Sequence, residues 1–186
     1  LKKISLPNTL KILGTCGLCC ETLTEIDLPE SLDSIGEQCF AETQIPSALH
    51  IPDNVSSIGM YCLHHSQFTS VNIPENIKHL KSDTFFWSDN LERITLHEGL
   101  EKIDFAFSLS NKISHIYSMP STPPEVDSSR PLGFYPDMLG KVTVHVRPGY
   151  GEAYMQTPWK KVGPIVEDLG SGVEEIGEEN AILGDE

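Results

Sequence analysis

The sequence predicts a solenoid built on a parallel β ladder, and three observations point to it. Segments beginning at Leu1, Leu23, Pro46, Phe68 and Leu91 share one pattern, L-x-x-I-x-L-P-x-x-L-x-x-I-G-x-x-(small)-F. Their anchor dipeptides, Leu6-Pro7, Leu28-Pro29, Ile51-Pro52, Ile73-Pro74 and Leu96-His97, follow one another at 22, 23, 22 and 23 residues. Within each I-x-L step apolar and polar residues alternate, the period of a strand with one buried face. One such unit cannot cover its own apolar side, so copies must stack on one another to make a core.

The columns of the repeat justify each element in turn. Ile4, Ile26, Leu49, Val71 and Ile94 are the inward residues of the first strand. The proline that follows ends the pairing, because it offers no N–H to the ladder. Leu10, Leu32, Val55, Ile77 and Leu100 form a second apolar column, and Leu13, Ile35, Ile58, Leu80 and Ile103 a third. A fourth holds Leu18, Phe40, Leu63, Phe85 and, one residue early, Phe107. Gly14, Gly36 and Gly59 are read as turn residues needing positive φ. Their replacement by Lys81 and Asp104 predicts that the later coils turn differently there.

A sixth segment starts at Ile113 and leaves the pattern. Met119 to Pro136 carries Pro120, Pro123, Pro124, Pro131 and Pro136, which reads as a long irregular loop. Val142 to Val146 then alternates as a strand, Arg147-Pro148-Gly149 turns, and Tyr150 to Gln156 has the spacing of a short helix. Solenoids need an atypical terminal unit over the end of the core, and Tyr154 and Trp159 are the expected lid. No comparable cap precedes Leu1, as expected of a segment cut from a longer protein. We expect residues 1–118 to form the solenoid, 119–168 the loop and capping unit, and 169–186 an acidic flexible tail.

Composition narrows the function. The chain has 186 residues and a net charge of −14, but eight of its 27 acids fall in the last 20 residues. The remainder holds 19 acids against 13 bases, a mildly acidic body with no basic stripe. That argues against nucleic acid or anionic membranes as partners, since both require clustered Lys and Arg. No apolar run approaches the roughly 18 residues of a membrane helix, so no membrane insertion is expected from this stretch. The five cysteines are odd in number and crowded into the first third, a poor disulfide framework.

The segment LTEIDLPESLDSIGEQCF resembles the leucine-rich repeats of bacterial BspA-like surface proteins. The ending resembles that family's terminal unit, with TPPEVD, then VTVHVRPGYGEAY, then PW before IVED. SGVEEIGEEN is similar to the linker that in relatives leads into a sorting segment. The resemblance implies a leucine-rich repeat solenoid, a right-handed β/α superhelix of about five to six coils with a C-terminal cap. It also implies an extracellular or cell-surface place and a non-enzymatic role in adhesion to host matrix proteins or other cells.

Point sites are weaker than the surface. Cys16-x-x-Cys19-Cys20 lacks the second pair that a structural zinc site needs, so no metal is expected, and these are read as core or loop thiols. Cys39 and Cys62 share a column in adjacent coils, but stacked side chains run parallel, so free thiols are expected there too. His64-His65 and His97-Glu98 read as solvated loop residues, and Asn54-Val55-Ser56 as a chance glycosylation match. No nucleophile elbow, metalloprotease motif or phosphate-cradling loop occurs; neither catalysis nor a cofactor is expected.

The best candidate is the outward face of the ladder. Its middle residues form one column, Ser5, Asp27, His50, Asn72, Thr95 and Tyr117; two positions earlier lies a second, Lys3, Glu25, Ala48, Ser70, Arg93 and His115. Such columns make the extended surface that solenoids use for binding. A protein ligand on a host or bacterial surface is the first expectation. A glycan is the alternative, with Phe86, Trp87, Tyr117 and Tyr135 as its stacking platforms.

Overall fold

The computed structural model describes residues 2–45 and 49–170. In chain order the strands are β1 (Lys3–Ser5), β2 (Ile12–Leu13), β3 (Glu25–Asp27), β4 (Ser34–Ile35), β5 (Ser57–Ile58) and β6 (Ser70–Asn72). They continue as β7 (His79–Leu80), β8 (Arg93–Leu96), β9 (Lys102–Ile103), β10 (His115–Ser118), β11 (Thr143–Val146) and β12 (Ile165–Glu167). One short α-helix, α1 (Gly151–Met155), sits between the last two.

Every strand pairing is parallel, as expected when each coil lays its strand beside the previous one. The first side of the solenoid carries the pair β1-β3 and a five-stranded sheet in the order β6-β8-β10-β11-β12. The second side carries β2-β4-β5 and β7-β9. The five-stranded sheet crosses residue 118 without a break, so strands of the repeats and of the terminal unit share one ladder.

The third side is built of turns, not helix. The coils there place residues in the left-handed region in two columns, Cys16, Gln38, Tyr61 and Asp83 in one and Glu42, His65, Trp87 and Leu109 in the other. Backbone bonds then join coil to coil, such as Gln38 N–H to Met60 O at 3.1 Å and Tyr61 N–H to Asp83 O at 3.0 Å. Buried hydroxyls finish the work, with Ser88 Oγ donating to Leu63 O and Ser110 Oγ to Phe85 O, 3.1 and 2.7 Å. These satisfied polar groups let the turn side pack without a helix.

Glycine has a different role from the one expected. Gly14, Gly36 and Gly59 are not at positive φ; among the described residues the positive-φ glycines are Gly133, Gly140 and Gly149. The positive φ falls two residues later in each coil, on non-glycine residues. At Gly36 a Cβ would lie 2.7 Å from the Gly14 carbonyl carbon, and at Gly59 one would overlap Glu37 N. The column is glycine because neighbouring backbones touch there. Where Lys81 replaces it, the left-handed turn persists at Asp83, but β5 and β7 do not pair and the second-side sheet divides.

The apolar columns form one continuous core. Ile35, Ile58, Leu80 and Ile103 are buried along one line, and Leu32, Val55, Ile77 and Leu100 along another. Phe107 keeps its column despite the shortened spacing, because its ring stacks on Phe85 at 5.0 Å and 12°. The cap closes the C-terminal end with fully buried Tyr154 and Trp159, as the terminal unit predicts. Tyr154 Oη donates to Pro120 O at 2.9 Å and lies 2.7 Å from Ser118 Oγ. Leu169 is buried too, its N–H on Val146 O at 3.2 Å.

Candidate functional site: the outward face of the ladder

Strand register sets the face. Lys3 lies beside Glu25 and Ser5 beside Asp27 in the first pair. In the larger sheet Ser70, Arg93, His115 and Thr143 form one row, and Asn72, Thr95, Tyr117, His145 and Val166 the next. The inward partners between them, Val71, Ile94, Ile116 and Val144, are buried. Period-two alternation therefore turns both rows to solvent.

The rows are interrupted at the third coil. His50 is exposed and lies in no strand, its Nε2 3.5 Å from Glu30 Oε1. Ala48 lies outside the described residues. Lys3 pairs with Glu25, and the Lys3 ammonium is held above its usual range by that carboxylate and then by Asp27.

The far end has a different chemistry. His115 Nδ1 is 2.9 Å from His145 Nε2, and His145 Nδ1 is 2.9 Å from both carboxylate oxygens of Asp168. Tyr117 stacks on His145 with ring centroids 4.6 Å apart and planes at 11°. Burial first, then the neighbouring His145 and Arg93 charges, lower the His115 pKa, while Asp168 acts in the opposite sense. Thr143, His145 and Asp168 are members of this site that the repeat columns missed. The alternation Val142-x-Val144-x-Val146 held the signal, since it turns Thr143 and His145 to the same side as His115 and Tyr117.

A second surface cluster lies on the turn side. His64 and Phe86 are 5.5 Å apart between centroids, and His65 stacks on Trp87 at 5.4 Å and 27°. Tyr61 meets Phe86 edge-on at 5.7 Å. The expectation of merely solvated histidines is corrected here, because the 22-residue repeat places each beside a ring of the next coil. Phe86 and Trp87 share this patch, whereas Tyr117 belongs to the ladder face and Tyr135 packs under the Arg130 guanidinium at 4.3 Å. Among the described residues no three His, Cys, Asp or Glu side chains are grouped to hold a metal ion, and no helix is long and apolar enough to cross a membrane.

Residues 15–129 match the BspA-type leucine-rich repeat region in six copies. The chain belongs to the BspA-type leucine-rich repeat family. Its BspA-type coils are similar in structure to the pneumococcal vaccine antigen PcpA, at 22% identity and a TM-score of 0.52 over 91% of this chain. The chain spans 36% of the PcpA length in that comparison. A leucine-rich repeat protein from Bacteroides ovatus aligns at 19% identity and a TM-score of 0.49, covering 91% of this chain and 46% of that one. A leucine-rich cell surface protein from Faecalibacterium prausnitzii aligns at 14% identity and 0.36, covering 92% and 61%. At these identities the likeness is one of fold. No curated protein sequence matches the chain significantly.

Proposed function

We propose that this BspA-type solenoid is a recognition module at a bacterial cell surface and binds a protein partner through the ladder face. The observation that carries the reading is the pair of solvent-facing rows, continuous over β6, β8, β10 and β11. Side chains fixed at strand spacing on a stiff ladder give a partner a preorganised surface, which lowers the ordering cost of binding. The likeness to a pneumococcal vaccine antigen supports an outward-facing location. The rows that supply recognition, Lys3, Ser5, Glu25, Asp27, Ser70, Asn72, Arg93, Thr95, His115 and Tyr117, are proposed as the contact set, with His50 at their margin.

The test is capture from host-matrix and bacterial-envelope extracts by the chain and by a variant with Asp27, Asn72, Arg93 and Tyr117 all changed to Ala. Loss of the captured partner with an unchanged unfolding midpoint is the expected result. Equal capture by both proteins would refute the reading.

Glycan binding is the second reading, and one observation favours it. Trp87 is 47% exposed and presented on a left-handed backbone position beside His65. A ring held outward in this way is a platform for a sugar face. A glycan array in which Trp87→Ala changes no signal would remove it.

A further inference from the structure

The ladder face changes character along its length. Its first pair of strands holds Glu25 and Asp27, whereas the rows over β6, β8, β10 and β11 contain no carboxylate. Of the three arginines, Arg147 pairs with Glu98 at 2.9 Å and Arg130 donates to Gly133 O at 3.0 Å. Arg93 is exposed and its side chain makes no hydrogen bond or ion pair among the described residues. It stands between Ser70 and His115 in its row.

We propose that this end of the ladder binds a carboxylate-rich peptide segment, with Arg93 and His115 receiving a carboxylate and Asn72, Thr95 and Tyr117 bordering it. The proposal rests on the reading of the ladder face as the binding surface and names its partner's chemistry. Arginine is the side chain best matched to a carboxylate, through its planar fork. Tyr117 and His145 each cover one face of the other, and their edges carry the hydrogen-bonding atoms that a carboxylate would meet.

The histidines fix the direction of the effect. Asp168 accepts from His145 Nδ1–H, which leaves His145 Nε2 as the acceptor for His115 Nδ1–H. The remaining nitrogen, His115 Nε2, therefore takes the next proton. In the free protein, burial above all opposes that proton, with the Arg93 charge beside it, and Asp168 favours it. Thr143 on β11 and Tyr117 on β10 are the other polar neighbours in the two rows. A bound carboxylate adds a second favourable charge, so binding takes up a proton and tightens as pH falls. Glutamate side chains titrate near 4.3, so the peptide's carboxylates keep their charge from about pH 5 to 8, and the His115 variant separates the site from the other histidines.

The experiment uses fluorescence anisotropy with labelled hexaglutamate, hexalysine and a heparin fragment, at about 0.15 M salt so that the overall negative charge is screened. Hexaglutamate should bind, and its affinity should rise by up to roughly tenfold per pH unit for one proton taken up. Arg93→Gln should weaken it roughly tenfold at every pH, the size of one charge-assisted hydrogen bond. His115→Gln should leave affinity at about pH 8 within a few-fold and flatten the pH profile. Unchanged unfolding midpoints would show that both variants fold. No binding of hexaglutamate, preference for heparin, or a pH profile that survives His115→Gln would each overturn the proposal. Capture of a partner from extracts through Asp27, Asn72, Arg93 and Tyr117, with hexaglutamate ignored, would remove this inference alone and leave the recognition reading standing.

Discussion

The indole Nε1–H of Trp159 donates to Pro124 O at 2.8 Å, tying the last capping residue to the proline-rich loop that precedes the cap. Tyr154 packs edge-on against the same indole at 5.6 Å and reaches Pro120 O. The lid therefore fastens the loop as well as covering the core. Trp159→Ala should cost about 3–5 kcal/mol, as expected for a large buried aromatic. Tyr154→Phe should cost about 1–3 kcal/mol by leaving Pro120 O and Ser118 Oγ short of a partner. Urea unfolding with a constant slope would measure both; a loss under 0.5 kcal/mol for Trp159→Ala would contradict the lid role.

The glycine column gives a graded series. Gly14→Ala meets nothing within 4 Å, whereas Gly36→Ala and Gly59→Ala press on the backbone of the preceding coil. We expect Gly14→Ala to be neutral or slightly stabilising, and the other two to lose about 1–3 kcal/mol through overpacking. Equal effects at all three positions in thermal unfolding would show that φ, and not coil contact, selects glycine.

Thiol reactivity should divide by place in the coil. Cys16 and Cys19 are exposed, while Cys39 and Cys62 are buried. Burial, the main cause, pushes the Cys39 thiol up to about 12, and Cys62 is raised as well. An aromatic disulfide reagent at about pH 8 should modify Cys16 first, Cys19 more slowly because partial burial holds its thiol proton, and the buried pair only after unfolding. The linkage runs against alkali. Above the ordinary cysteine range the unfolded chain gives up the Cys39 proton and the folded chain keeps it, so stability should fall from about pH 9 up to about 12. Cys39→Ala should remove part of that decline in a pH series of unfolding midpoints.

Glu167 governs the cap at the acid end. Its carboxylate accepts Gly149 N–H at 3.0 Å and Gly151 N–H at 2.7 Å, and those two bonds hold its pKa below the ordinary value. The contribution is present above the unfolded pKa near 4.5 and is lost as pH falls through the lower folded one. With the intrinsic pH dependence divided out, the exchange protection of the Gly149 and Gly151 amides should fall on acidification below about pH 4.5, and Glu167→Gln should show the weaker protection already at neutral pH.

Much of the fold was legible because a solenoid is quasi-one-dimensional: each coil meets only its neighbours, so a period read from Leu6-Pro7 to Leu96-His97 places the core columns. The outward rows followed from the same alternation. The left-handed positions at Tyr61, Asp83 and Trp87 were not legible, since none carries the glycine that usually marks such a backbone. The meeting of His64 with Phe86 was hidden for a related reason. Adjacent residues can share a surface when the turn between them is not a strand.

The repeat and its inward columns were readable from the chain because each is a local pattern renewed at constant spacing, and the aromatic lid because it ends that pattern. Folding was needed to show that His145 joins His115 and Tyr117, and that Asp168 closes the chain of hydrogen bonds. Residues 119–142 break the period between β10 and β11, so no count along the chain carries the register across them. Packing carries it instead, with Val144 buried beside Ile116 in the sheet and the outward residues brought into line by that fit.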